Sequence, residues 1–330
     1  MKIVQFMAAK RYVGAERSFV ELCNELSKSE DVTALVVRGC EFKDRFSDRV
    51  EVIELAANPS RYNPFLYTEL KKILQKISPD ILHVHSAKAA EIAYKLSKLY
   101  SIPYIATKRN SERDSKKNIY FDKAPFAVGV SREVTETINN PNKTTIYNGI
   151  EPVRVVGKKE RVFTIVAAGV LQPRKGFDDL IEQVAQLNFD FRLKIAGEGE
   201  QREELERLIG RLGLRGRVEL LGQRDDLPKI LASAHLQVIN SSREGLSRVL
   251  IEGLFYSDLI ISTKVAGSTE ILSDDFLFDR GEAGAKIAHI YHNYGKYRQR
   301  FLPIKAKRHF FTLERVAKEY RELYKRVAGV

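Results

Sequence analysis

An α/β protein of two doubly wound parallel-sheet domains is what the sequence predicts, on three observations. Short Val- and Ile-rich runs recur along the chain, their hydrophobicity is continuous rather than alternating, and helical patterns separate them. Continuous apolar runs mark strands covered on both faces, and helices between them imply parallel crossovers. The length of 330 residues suits two domains of roughly 150 residues each better than one core.

The first runs are MKIVQF, TALVV and VEVIEL, followed by DILHVH, PYIAT, FAVGVS and TTIYNG. Between the first two, Phe19, Leu22, Cys23 and Leu26 fall at i, i+3, i+4 and i+7, which predicts a helix with one buried stripe. After Asn148, Gly149 and Ile150 comes EPVRVVGKKER, polar and carrying Pro152, Gly157 and a basic cluster. Few contacts need cross such a stretch, so the first domain is expected over residues 1–150. The strand rhythm restarts with FTIVAAG, FRLKIAG, RVELLG, LQVINS and LIIST, and a helix is expected from Arg202 to Leu212. Residues 151–311 therefore repeat the first architecture, and both domains read as Rossmann-like. Over residues 312–330, Leu313, Val316, Ala317, Tyr320, Leu323, Tyr324 and Val327 make one apolar stripe, expected to dock back on the first domain.

Hydrophobic residues at 44% and charged residues at 30% exclude a disordered or collagen-like chain. No stretch approaches the roughly 20 apolar residues of a bilayer-spanning helix, and MKIVQFMAAKRYVG lacks the layout of a signal peptide. A cytoplasmic location is expected, either free or peripheral on the inner face of the membrane. Cys23 and Cys40 form no disulfide framework or metal-ligand spacing and read as structural. The net charge of +12 favours anionic partners. The basic segments from Lys108 to Lys123 and from Lys296 to Arg308 have two readings, solvated loops or docking on an anionic membrane.

Ligands of open parallel sheets bind beyond the carboxyl ends of the strands, so the loops there are where chemistry is sought. After LQVIN the chain reads SSREGLSRVLIEGL, with Glu244 in the loop and Glu252 eight positions on in the following helix. Eight steps of roughly 100° return to nearly the same helix face, so two carboxylates would border one pocket if the helix began early. Gly245 admits close backbone approach, and a helix start favours an anion. A sugar diphosphate suits that chemistry.

This segment resembles the Glu, seven residues, Glu motif of glycosyltransferase family 4, retaining enzymes of GT-B architecture. GVLQPRKGFDDLI resembles the family's glycine-to-Lys-Gly loop, GEGEQREELERLI its GEG-x-x-R segment, and VAGSTEIL its glycine-then-Glu loop. PDILHVHSA, GVSREV, TIYNGIE and HFFTLERVAKEYRELY are similar to further landmarks, so the resemblance runs in order along nearly the whole chain. It implies that Glu252 holds the nucleotide ribose and Glu244 the hydroxyls of the donor sugar. Lys175 and Arg174 would neutralise the departing diphosphate, and Gly245, Leu246 and the amides near Gly14 would cradle phosphate or sugar oxygens. Gly169, Gly197 and Ser247 join the donor-binding positions, and His85 matches the family histidine near the transferred sugar. The implied reaction is transfer of a hexose-type sugar, from a UDP-sugar by preference, to a glycan or glycolipid acceptor. Configuration would be retained by front-face displacement, with no covalent intermediate on Glu244. No metal and no resident cofactor is expected, in keeping with the lack of any Asp-x-Asp triplet. Assembly of bacterial lipopolysaccharide or surface polysaccharide fits.

The chain departs from the family pattern at Val170, where an arginine commonly follows the loop glycine, and this puts one diphosphate contact in doubt. The planar fork of Arg174 is a candidate replacement. Val13 precedes Gly14 in place of a glycine pair, and Ser257 and Leu259 replace the usual glycine and proline after the second glutamate. Each position also has an ordinary reading. Glu244 and Glu252 are acids that a helix start favours, His85 a strand-end histidine satisfied by its surroundings, and Lys175 with Arg174 a solvated turn. GEGEQR could simply open a helix, and Glu270 either caps a helix or holds the loop of Gly267 and Ser268. His83 reads as packing. Two rival functions are a GT-B nucleotide-sugar epimerase, which needs no acceptor, and a basic nucleic-acid-binding protein. The Glu244–Glu252 spacing disfavours the first. The absence of a recognised reading module disfavours the second, and nucleic acid is not expected as a partner.

Overall fold

The structure, a computed structural model, describes residues 1–60, 62–100, 102–113 and 115–329. The chain divides into two compact units, one formed by Met1–Glu151 with Phe311–Val330 and the other by Pro152–Phe310. Each is a doubly wound parallel sheet with helices on both faces, the fold class the sequence predicts.

In the amino-terminal unit the strands are β1 (Lys2–Met7), β2 (Asp31–Val37), β3 (Val50–Leu55), β4 (Ile81–Val84), β5 (Tyr104–Lys108), β6 (Phe126–Gly129) and β7 (Lys143–Thr145). They lie in the order β3-β2-β1-β4-β5-β6-β7, all parallel, with Lys2 opposite Asp31 and Phe6 opposite Val84. Strand order reverses between β1 and β4, so the loops after these two strands diverge and leave a crevice at their carboxyl ends. Side chains alternate across the sheet. Ile3 and Met7 face one core with Phe19 and Cys23 of the helix Gly14–Leu26, while Val4 and Phe6 face the other with Leu66, Leu70 and Ala89. Gln5, His83 and His85 interrupt apolar runs on the first face, and all three are buried.

The helix Leu313–Ala328 covers that first face. Val316, Ala317, Tyr320, Leu323 and Tyr324 are buried there, and Val327 packs at the edge. Full burial of a side chain the size of Val316 or Leu323 contributes about 1.5–3 kcal/mol. Its entry is stitched by Ile150 N donating to Phe311 O at 3.0 Å and Leu313 N to Ile150 O at 2.9 Å. Gly329, at φ +76°, ends the helix in the left-handed conformation a C-terminal cap requires.

The second unit contains β8 (Phe163–Ala168), β9 (Phe191–Ala196), β10 (Val218–Gly222), β11 (Leu236–Ile239), β12 (Ile260–Thr263) and β13 (Leu277–Phe278), in the order β10-β9-β8-β11-β12-β13. All pairs are parallel, and Val166 of β8 lies opposite Gln237 of β11. Its reversal falls between β8 and β11. Among the described residues no helix is long and apolar enough to cross a membrane.

Candidate active site

The carboxyl ends of β8 and β11 carry the loops that hold Lys175 and Glu244. After β8 the chain crosses Gly169 and turns through Pro173–Lys175 into the helix Phe177–Val184. Gly176 joins turn to helix at φ +63°, and a Cβ there would stand 2.4 Å from the carbonyl oxygen of Asn240. Only glycine fits, and the close approach locks this loop to the one after β11. Asn240 Nδ2 donates to Gly176 O at 2.8 Å and Asp179 Oδ2 at 2.7 Å, and Ser242 N donates to Arg174 O at 2.8 Å. The third loop, after β9, packs on the first. A Cβ on Gly197, at φ +149°, would lie 1.9 Å from Gly169 O.

This stitching sets the charges. Lys175 Nζ, with its stem lying over Gly169, donates to Glu244 Oε1 at 2.5 Å, and Ser241 Oγ donates to the same oxygen at 2.7 Å. Arg174 Nη1 stands 3.4 Å from Glu244 Oε2. With its amide oxygen facing the guanidinium, Gln172 accepts from Arg174 Nε at 2.8 Å and Nη2 at 2.9 Å. Glu244 is 8% exposed. Burial pushes its carboxyl up, but the charge and hydrogen bond of Lys175, the Ser241 hydroxyl and Arg174 together outweigh burial, and the group titrates below its ordinary value. The helix Arg248–Tyr256 begins after Glu244, so the two glutamates do not share a helix face; Glu244 stays in the loop. Glu252 sits in the second turn, buried, accepting from Arg248 Nε at 3.1 Å. Gly245, Leu246 and Ser247 are buried residues leading into that helix, with Gly267 packed against Leu246. Val170 is half-buried beside Gly169.

The amino-terminal unit gathers a second polar group at its own reversal point. His85, at the end of β4, is 2% exposed and has both ring nitrogens engaged, Nε2 with Gln5 Oε1 at 2.6 Å and Nδ1 with Arg109 Nη2 at 2.9 Å. A guanidinium only donates, so Nδ1 accepts and the proton sits on Nε2. Gln5 Nε2 then donates to the Tyr324 hydroxyl at 3.0 Å, Tyr324 donates to His83 Nδ1 at 2.6 Å, and His83 Nε2 donates to Thr107 Oγ1 at 2.7 Å. Burial pushes the pKa of both imidazoles well down, helped by the nearby Arg109 charge, and for His85 also by His83. The ring of His85 therefore has no open nitrogen for a sugar, and the strand-end reading describes its surroundings. His83, expected merely to pack, is a link in the chain.

The side chain the sequence did not single out is Arg109, just past β5. Besides His85 it donates from Nη1 to Asn148 Oδ1 at 2.8 Å. Its place directly after a strand, in TKRN, was the available signal. Gly14 opens the helix after β1, and a Cβ there would meet nothing within 4 Å, so packing does not require glycine at this position. Among the described residues no group of three or more His, Cys, Asp or Glu side chains is arranged to hold a metal ion.

Paired Rossmann-like units define the class. HepE of Anabaena, solved with UDP-glucose, superposes with a TM-score of 0.82 at 19% identity, covering 99% of this chain and 100% of that one. Sucrose-phosphate synthase of Thermosynechococcus elongatus gives a TM-score of 0.83 at 16% identity over 99% of each chain. The fold is that of the GT-B glycosyltransferases. Residues 12–154 match the family model described as Glycosyltransferase Family 4, and residues 151–308 match Glycosyl transferases group 1. The chain belongs to this glycosyltransferase family. It is similar to the lipopolysaccharide core biosynthesis glycosyltransferase LpsE of Rhizobium meliloti, 28% identical over 295 residues and 86% of each chain. LpsD of the same organism is 26% identical over 288 residues, covering 82% of this chain and 81% of that one.

Proposed function

We propose that the protein is a retaining, metal-independent glycosyltransferase that moves a sugar from a nucleotide diphosphate, UDP by preference, to a saccharide or glycolipid acceptor in lipopolysaccharide or surface-polysaccharide assembly. The observation that carries this reading is the Glu244 carboxylate held by Lys175 and Arg174 at the reversal point of the second sheet. The UDP and UDP-glucose bound to HepE favour the donor, and the core-biosynthesis relatives favour the acceptor class.

The donor diphosphate would lie over Lys175 and Arg174, with oxygens near the amides of Gly245, Leu246 and Ser247 and close to the backbone at Gly169 and Gly197. Its ribose would bond Glu252 and its sugar hydroxyls Glu244. As the anomeric carbon–oxygen bond breaks, Lys175 and Arg174 stabilise charge accumulating on the leaving phosphate, the term that dominates in a dry, preorganised site. The acceptor oxygen would bond the anomeric carbon on the same face and pass its proton to the departing phosphate oxygen, through an oxocarbenium-like transition state. The amino-terminal unit would bind the acceptor, the amides near Gly14 would cradle phosphate or sugar oxygens, and His85 would act by orienting Arg109. The basic loops of this unit would meet an anionic membrane at the cytoplasmic leaflet.

The test is calorimetric titration of UDP, GDP, ADP and CMP into the protein and into Glu252→Ala. Tight binding of one nucleotide, lost in the variant, is the expected result. Failure of all four to bind the unaltered protein would remove the donor site and the enzyme reading with it.

A further inference from the structure

The two cations of the loop after β8 are both turned toward one carboxylate. Lys175, whose side chain is only 10% exposed, spends its shortest contact on Glu244, and Arg174 approaches the other oxygen of the same group. Ser241 fixes that carboxylate from a third side. We infer that Glu244 couples diphosphate capture to the presence of the sugar, so that this site, which binds the bare nucleoside diphosphate, holds the nucleotide sugar more tightly still. The inference rests on reading this pocket as the donor site.

The physical argument concerns what happens to Glu244 when phosphate claims Lys175. A diphosphate drawing Nζ toward itself takes away the shortest contact of a carboxylate that is 8% exposed, and weakening the pairing of a buried charge is unfavourable. It also brings like charge toward the same carboxylate. A donor that carries a sugar restores the balance, because its hydroxyl protons fill the lone pairs that Lys175 vacates and hydrogen bonds to an ionised acceptor are the stronger kind. The nucleoside diphosphate left after transfer has no such hydroxyls at that position. Lys175 returns to Glu244 and the product leaves. The carboxylate thus opposes product retention and does not serve sugar recognition alone.

The consequence runs against ordinary expectation for a binding-site residue: removing the charge should strengthen binding of the product. In Glu244→Gln the amide oxygen still accepts from Ser241, but Lys175 and Arg174 are released from a counter-ion. UDP and UDP-glucose, as probes, would be titrated by calorimetry into both proteins at matched low and high salt. The unaltered protein is expected to prefer UDP-glucose to UDP, while Glu244→Gln binds UDP about tenfold more tightly and loses most of that preference, less so at high salt. UDP affinity unchanged or weakened in a folded variant would overturn the inference, as would equal affinities for the two probes in the unaltered protein, a comparison that needs no variant. Binding of neither probe by either protein would instead overturn the donor-site reading, and with it this inference.

Discussion

Tyr324 and Tyr104 are both buried tyrosines of the amino-terminal unit, 0% and 1% exposed, and deleting the hydroxyl of each should have opposite consequences. The Tyr324 hydroxyl accepts from Gln5 at 3.0 Å and donates to His83 at 2.6 Å. Tyr324→Phe therefore leaves one buried donor and one buried acceptor without partners, at about 1–3 kcal/mol each, or about 2–5 kcal/mol together after some relaxation. The Tyr104 hydroxyl has no hydrogen-bond partner among the described residues. Tyr104→Phe removes a polar group whose desolvation nothing offsets, so the change should be neutral or stabilising by up to about 1 kcal/mol. Global unfolding of a two-unit chain is a poor measure of one unit. Hydrogen exchange read by mass spectrometry on peptides covering Lys2–Met7 and Ile81–Val84 isolates the sheet concerned. A cost for Tyr324→Phe no larger than that of Tyr104→Phe would refute the one-way hydrogen-bond chain from Arg109 to the closing helix.

Acid should loosen the same unit. His83 and His85 have folded pKa values well below the ordinary 6.5, so the unfolded chain binds protons that the folded one refuses. Stability is then fully present above about pH 6.5 and is lost as pH falls toward the depressed values, by up to about 2.7 kcal/mol per pH unit for two protons; hydrogen exchange in β1 and β4 that stays flat from pH 7 to 5 after correction for intrinsic rates would contradict this. Gly197→Ala forces a methyl to 1.9 Å from Gly169 O at φ +149°, and it should cost the second unit upward of about 2 kcal/mol and abolish UDP binding, as thermal melts with and without UDP would report. Lys175→Met should lower sugar transfer about 10²–10³-fold, in line with loss of one group that stabilises developing charge. A fall in kcat below tenfold would remove Lys175 from that role.

Strands of continuous Val and Ile were legible because burial on both faces leaves no polar alternation to obscure them, and Gln5 inside MKIVQF did not break the pattern. The two residues of β13 carry no period at all, which is why Leu277–Phe278 is found only in the structure. The TTIYNG run ends early as a strand at Thr145, since Asn148 turns away to meet Arg109. At the candidate site, the Glu244–Glu252 spacing suggested one shared helix face, which does not form because the helix starts only at Arg248. Arg109 was hidden for a different cause. Its partners His85 and Asn148 lie 24 and 39 residues away, and within KRNSERDSKK a guanidinium bound by two side chains looks like any other surface charge.

Gln5 and Tyr324 lie 319 positions apart, and that separation orders the birth of the molecule. At about 5–20 residues per second, a ribosome needs roughly 15–60 s between making the first strand and making the tyrosine that satisfies it. The second unit, closed by Phe310, is complete before its neighbour and can fold while the opening sheet still waits with two histidines and a glutamine unpartnered. Of the two sheets, the one made first is thus the last to be finished.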